Sequence, residues 1–272
     1  MYEKIGIIGH GYVGEAIAQS IVPPFQAVII DPAKGWNTTY YDLKKECSCV
    51  FICVPSPQGA DGQCDTSIIE SVLKELQFGF TGTIISKVTA PPDFYEDWGK
   101  LLPNLVYVPE FLRASSGITD FARAEWTIVG GTVGAYQREA IRIIKQLQTE
   151  LRHIELCGIG EAAFVKYSIN SFLATKVVFM NELYQLSDKK GYNWRQLSNL
   201  INMDKRIGDS HMQVPGPDKY YGFGGACFPK DTEALLKYAD DHSVNLNTLD
   251  AAVKKNTRKA FLGRRQYQRL SS

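Results

Sequence analysis

The chain has 272 residues, with 30 Lys or Arg against 29 Asp or Glu, so its formal net charge at pH 7 is +1. A balance this close to neutral argues against a protein built to coat nucleic acid or an anionic membrane. With 44% hydrophobic and 22% charged residues, the composition is that of a folded globular protein long enough for two domains. No run of about 18 apolar residues occurs, so no membrane-spanning helix is expected. Met1-Tyr2-Glu3-Lys4 leads into an apolar run rather than a signal peptide. Cys47, Cys49, Cys53, Cys64, Cys157 and Cys227 are too scattered for a disulfide scaffold, and a reduced cytoplasmic protein is expected.

The first predicted strand, residues 4–9, runs into Gly9-His10-Gly11-Tyr12-Val13-Gly14 and then a helical pattern over 14–21. In this G-x-G-x-x-G element Gly9 permits a tight turn. Gly11 lets backbone approach a pyrophosphate, and Gly14 lets helix and strand pack closely. The helix start offers N–H groups and partial positive charge to phosphates. The next strand, residues 27–31, ends in Asp31, 17 positions beyond Gly14. A carboxylate there accepts the ribose hydroxyls and repels a 2′-phosphate, which favours NAD over NADP, although nearby Lys34 weakens that preference.

Further strands are predicted at 49–55, 83–87, 105–108 and 126–130, with helical periodicity over 68–76 and 137–146. Short β-branched runs without polar alternation, interleaved with helices, imply a parallel sheet covered on both faces. Residues 1–156 are therefore expected to form a Rossmann-like, doubly wound α/β domain. After Leu156 the pattern becomes one long helix over 161–189, then shorter helices over 194–201 and 232–240 with a Gly- and Pro-rich loop over 208–225. Residues 157–272 should make a mostly helical second domain around that long helix.

Within that domain lies Gly222-Phe223-Gly224-Gly225-Ala226-Cys227-Phe228-Pro229-Lys230-Asp231. Pro229 suits the first turn of a helix and so places Cys227 just before its start. A thiolate is stabilised in such a position. On the long helix, Lys166 and Asn170 at i and i+4 share one face.

These pieces resemble, in their order, the UDP-glucose/GDP-mannose dehydrogenase family. The matching residues are the glycine loop, Lys87-Val88-Thr89-Ala90-Pro91, Pro109-Glu110-Phe111-Leu112-Arg113, Lys166 to Asn170, Asn181-Glu182, Arg206-Ile207-Gly208 and the cysteine loop. The resemblance implies NAD-dependent oxidation of a sugar primary alcohol, UDP-glucose being the expected substrate, through a cysteine thiohemiacetal and thioester. It implies catalytic roles for Cys227, Lys166, Asn170, Asp231, Glu110 and Thr89. For the cofactor it adds Tyr12, Val13, Lys34, Ser56, Thr89 and Lys230 to Gly9, Gly11, Gly14 and Asp31. For the substrate it implies Glu110, Phe111, Leu112, Lys166, Asn170, Arg206, Phe223 and Gly224.

The family departs from this sequence in two respects. Ala114 stands where the family has a second acid, and the family's third domain, which holds the nucleotide, is not read beyond the segment 256–261. The helix over 161–189 carries more apolar residues, among them Phe164, Phe172 and Phe179, than one face needs, so a homodimer through it is expected; the resemblance adds that Arg206 reaches the partner's site, and a separate chain supplying the third domain stays open. Two rivals stay open: a β-hydroxyacid dehydrogenase, which has no use for Cys227, and a catalytically weak, NAD-binding regulatory or partner-dependent protein.

Cys47, Cys49 and Cys53 lack ligand spacing and are expected in the core, so no metal is expected. Seven basic residues between Lys254 and Arg269 read as a solvated helix face and tail, with contact to a diphosphate or to nucleic acid as the alternatives.

Overall fold

The computed structural model describes residues 2–59, 62–112 and 116–257. Ala114 and the basic residues from Arg258 to Arg269 lie outside the described residues. The elements begin with β1 (Glu3–Ile8), α1 (Tyr12–Ser20), β2 (Phe25–Asp31), β3 (Trp36–Asn37), α2 (Tyr40–Glu46), β4 (Cys47–Ile52) and α3 (Ser67–Gln77). β5 (Thr83–Ser86), α4 (Pro92–Leu101), β6 (Leu105–Tyr107), α5 (Gly117–Ala122), β7 (Trp126–Gly130), α6 (Ala135–Leu147) and β8 (His153–Cys157) follow. The long α7 (Ile159–Lys189), α8 (Trp194–Ile201), α9 (Phe228–Asp241) and α10 (Asn247–Thr257) complete the order. Two compact units result, divided within α7 between Lys166 and Tyr167.

The strand order of the sheet in the first unit is β3-β2-β1-β4-β5-β6-β7-β8. The pairs from β2 to β6 are parallel, in register Ile7 against Ile29 and Ile7 against Phe51. Alternation explains how one strand feeds two cores. On β4, Val50 and Ile52 pack with Leu43, Ile69, Leu73 and Tyr95 on one face of the sheet. Cys49 and Phe51 pack with Ile17, Ile143 and Ile144 on the other. Both faces are dry, as expected of a doubly wound sheet.

Three features depart from the expected pattern. β3 pairs antiparallel with β2, Trp36 opposite Asp31, and is too short to leave a periodic signal. β7 meets β6 antiparallel through the single pair Tyr107–Gly130. β8, His-Ile-Glu-Leu-Cys, alternates polar and apolar residues and is mostly exposed at the sheet edge, so it lacked the apolar run that marked the other strands.

In the second unit, Met180, Met212 and Val214 pack with Leu183, Tyr184, Trp194, Ile201 and Tyr221. Val178 and Ala252 pack with Tyr221 and Phe223. Asn193 caps α8 by accepting the Gln196 N–H.

Candidate active site

Strand order changes direction between β1 and β4, and in such sheets the crevice at the carboxyl ends of those strands is where dinucleotides bind. The glycine loop lies there. Gly9 has φ +90°, and a Cβ on it would come within 2.8 Å of the Cys53 carbonyl. A Cβ on Gly14 would stand 2.0 Å from the Gly9 oxygen. Gly11 differs, because a Cβ there would meet nothing within 4 Å. The loop is thus pressed against β4 on one side and open at Gly11, the space a pyrophosphate needs. Gly11 also opens α1 without a side-chain cap, leaving first-turn N–H groups for an anion.

Asp31, at the end of β2, accepts the His10 backbone N–H at 2.7 Å. Lys34 donates to the His10 carbonyl at 2.7 Å, and Trp36 lies against the His10 ring at 5.4 Å. Beside them is a cavity of about 480 Å³ whose lining includes Gly9, Asp31, Tyr40, Val54, Ile68 and Val72. The Tyr12 ring lies against Gly117, where any Cβ would overlap it. Burial pushes the Tyr12 phenol up from its ordinary value. NAD should bind better than NADP, and Asp31→Ala should narrow the gap by about tenfold, since it removes one like charge facing the 2′-phosphate. Titration of both cofactors checks this, and equal affinities in the unmodified protein would exclude the role of Asp31.

A second cluster in this unit surrounds Glu110, just beyond β6. Lys166, 3% exposed, donates to the Glu110 carbonyl at 2.5 Å and lies 3.4 Å from its Oε1. Glu110 Oε2 accepts the Leu112 N–H at 2.8 Å. The Phe111 ring lies 5.0 Å from the Lys166 ammonium and 4.9 Å from the Trp126 ring. Thr89 is half-buried, its carbonyl accepting the Cys64 thiol, and Ser56 is half-buried on the stretch after β4.

The second unit holds the cysteine loop. Cys227 is exposed and occupies the N-cap of α9, with Pro229 in the first turn. The Asp231 N–H donates to the Cys227 carbonyl at 2.8 Å. The Asp231 side chain is buried, and both of its oxygens are engaged, Oδ2 by Asn170 Nδ2 at 2.5 Å and Oδ1 by Lys230 Nζ at 2.6 Å. Lys230 therefore sits on Asp231.

Two asparagines tie down the loop ahead of Cys227. Asn181 accepts the Gly222 N–H at 3.1 Å. Asn256 accepts the Phe223 N–H at 2.8 Å and donates to its carbonyl at 2.9 Å. Asn256 had no sequence signal, since its partner lies 33 positions away. Gly224 and Gly225 face open space. Lys176 donates to the Ile207 and Gly208 carbonyls at 3.0 Å each, holding the segment that carries Arg206. The Arg206 guanidinium is exposed and paired with Asp204 at 2.5 Å.

Cys47 and Cys49 are buried in the sheet, and burial pushes the Cys47 and Cys53 thiols up to about 12. Among the described residues no group of three or more His, Cys, Asp or Glu is arranged to hold a metal. No described helix is long and apolar enough to cross a membrane. Lys254 and Lys255 sit on Asp250 and Glu182.

The family model for the NAD binding domain of the UDP-glucose/GDP-mannose dehydrogenase family matches residues 34–148, and that for its central domain matches residues 160–258. UDP-glucose 6-dehydrogenase of Rhizobium meliloti is 28% identical, over 96% of this chain and 69% of its own length. The putative UDP-glucose 6-dehydrogenase YtcA of Bacillus subtilis is 33% identical, over 91% of this chain and 66% of its own. A UDP-glucose dehydrogenase structure from Pyrobaculum islandicum superposes with a TM-score of 0.77 at 21% identity, covering 94% of this chain and 68% of that one. The chain spans between about half and about two thirds of the length of the curated relatives it matches.

Proposed function

Since the chain belongs to the UDP-glucose/GDP-mannose dehydrogenase family, we propose that it oxidises the primary alcohol of a UDP-linked sugar to the carboxylate with NAD, through covalent intermediates on Cys227. One observation carries the covalent step: an exposed thiol at the start of α9, four residues ahead of a buried carboxylate held by Asn170 and Lys230. NAD, for which the open Gly11 loop and Asp31 are suited, supplies the hydride acceptor for both oxidations.

The remaining chemistry is assigned to side chains. Lys166 directs N–H groups at the Glu110 carbonyl and carboxylate, and its remaining N–H is assigned to a sugar oxygen as that oxygen gains negative charge. Glu110 is the acceptor for the alcohol proton as the carbinol carbon gives up its first hydride. The resulting aldehyde is a poor hydride donor. Addition of the Cys227 sulfur to its carbon, with a proton going to oxygen, gives a thiohemiacetal. Loss of the second hydride and the hydroxyl proton gives a thioester. Water then adds to the carbonyl, the C–S bond breaks, and the carboxylate and the thiol are released. Asn170 orients Asp231, and with Thr89 that carboxylate is the group assigned to placing the water. NADH formation by the purified protein with a panel of sugar nucleotides tests the reading. Failure of every UDP-sugar to give NADH would exclude it.

We also infer a homodimer through α7. Phe172, Phe179 and Leu186, spaced seven apart along this helix, are each more than half exposed. An apolar stripe of that length on a helix marks an association surface. Sedimentation should show twice the chain mass at micromolar concentration, and Phe179→Glu should shift it to monomer. A monomeric unmodified protein would contradict the inference.

A further inference from the structure

Lys87, just beyond the end of β5, has no role in the chemistry assigned so far, and its position calls for one. Its side chain is 6% exposed. Its backbone is fixed on the sheet, the N–H donating to the Ile52 carbonyl at 2.9 Å, while the next strand is tied in by the Val108 N–H donating to Ser86 at 2.9 Å. From there the ammonium reaches across to the neighbouring strand's extension and donates to the Pro109 carbonyl at 3.2 Å. Lys166 donates to the very next carbonyl, that of Glu110. Two buried lysines, from different elements of the same unit, therefore hold two consecutive carbonyls of the segment that carries Glu110.

A purely structural anchor would be a poor use of such a residue. Removing an ammonium from water is costly, and the Phe121 ring 5.8 Å away returns only part of that. The groups facing Lys87 are the Glu110 carboxylate, the Cys53 thiol and the Lys166 ammonium. The Glu110 carboxylate thus lies in the field of two cations, one of which (Lys166) also bonds it.

We propose that Lys87 is a positioning residue for the dehydrogenase reaction: its ammonium fixes the Pro109–Glu110 segment and so holds the Glu110 carboxylate against Lys166 for proton transfer. The proposal rests on the reading of Glu110 and Lys166 given above. It also has a pH signature. Burial lowers Lys87 to about 8, against the favourable pull of the Glu110 carboxylate and with a smaller push from Lys166. Below that pH the cation is present and the segment is clamped. Above it the clamp loses its charge.

The Leu112 backbone N–H, which donates to Glu110 Oε2, reports the carboxylate's position without any turnover. Its amide resonance should show an inflection near pH 8, and kcat should fall on the alkaline side of the same pH. Lys87→Met should abolish the inflection and lower kcat by about tenfold or more, with KM for NAD changed less than about twofold. Lys87→Arg keeps a charge that does not titrate, so it should remove the inflection yet restore most of kcat. Wild-type kcat and an unmoved Leu112 resonance in Lys87→Met would overturn the proposal. Should Lys87→Met fail to fold, Lys87→Arg decides, because persistence of the inflection there would show that Lys87 is not its source. Absence of NADH formation by the unmodified protein would count against the proposed function, while the Leu112 titration would still decide the role of Lys87.

Discussion

Cys227→Ser should leave NAD binding intact and stop the reaction after its first oxidation. A serine hydroxyl is scarcely ionised at neutral pH and adds to an aldehyde far more slowly than a thiolate, so the second oxidation should slow by roughly a thousandfold or more. NADH formed per sugar nucleotide consumed should fall from two toward one, with aldehyde accumulating. The N-cap position explains why the substitution should be structurally mild, since serine is itself a favoured N-cap residue. Two NADH per substrate at the wild-type rate in this variant would rule out the covalent route.

Gly14→Ala should do the reverse and weaken cofactor binding, by about tenfold or more. The new methyl would lie 2.0 Å from the Gly9 carbonyl oxygen, and neither backbone can retreat, because Gly9 is itself backed by the Cys53 carbonyl. The shift needed between α1 and β1 costs about 1–3 kcal/mol in overpacking, enough to lower the melting temperature as well as NAD affinity. Gly11→Ala is the informative contrast. Nothing in the protein lies within 4 Å of the added carbon, so stability should hold while NAD binding still weakens. If Gly11→Ala binds NAD as tightly as the unmodified protein, the pyrophosphate does not approach the loop at that point.

The contrast between these glycines shows what the sequence could express. The G-x-G-x-x-G spacing and Asp31 were legible because the loop is local: strand, turn, helix start and acid follow within 31 residues, and each uses a backbone property of its residue type. Cys227 at the start of α9 was legible for the same reason, with Pro229 marking the first turn. The partners of Asp231 were not. Nothing in its spacing from Asn170 or Lys230 says that both would spend their donors on its two oxygens. β3 and β8 escaped because one is two residues long and the other lies exposed at an edge, so neither carries a burial signal. The hold of Asn256 on Phe223 depends on tertiary contact alone. The pair of lysines on Pro109 and Glu110 is a similar case, since Lys87 belongs to a local motif while its reach to the next strand depends on tertiary contact.

The burial of the thiols has a practical consequence. Cys47, Cys49 and Cys64 are buried, Cys53 and Cys157 are half-buried, and burial pushes the Cys47, Cys53 and Cys157 thiols up from their ordinary range. An alkylating reagent at neutral pH therefore meets few competing sulfurs in the folded chain, and Cys227 is the cysteine exposed to it. The native sequence thus carries its own handle for a fluorophore or spin label at the mouth of the cysteine loop. Label uptake per chain then counts folded, accessible loops directly, and protection of that one sulfur by an added nucleotide sugar turns the same count into a binding isotherm.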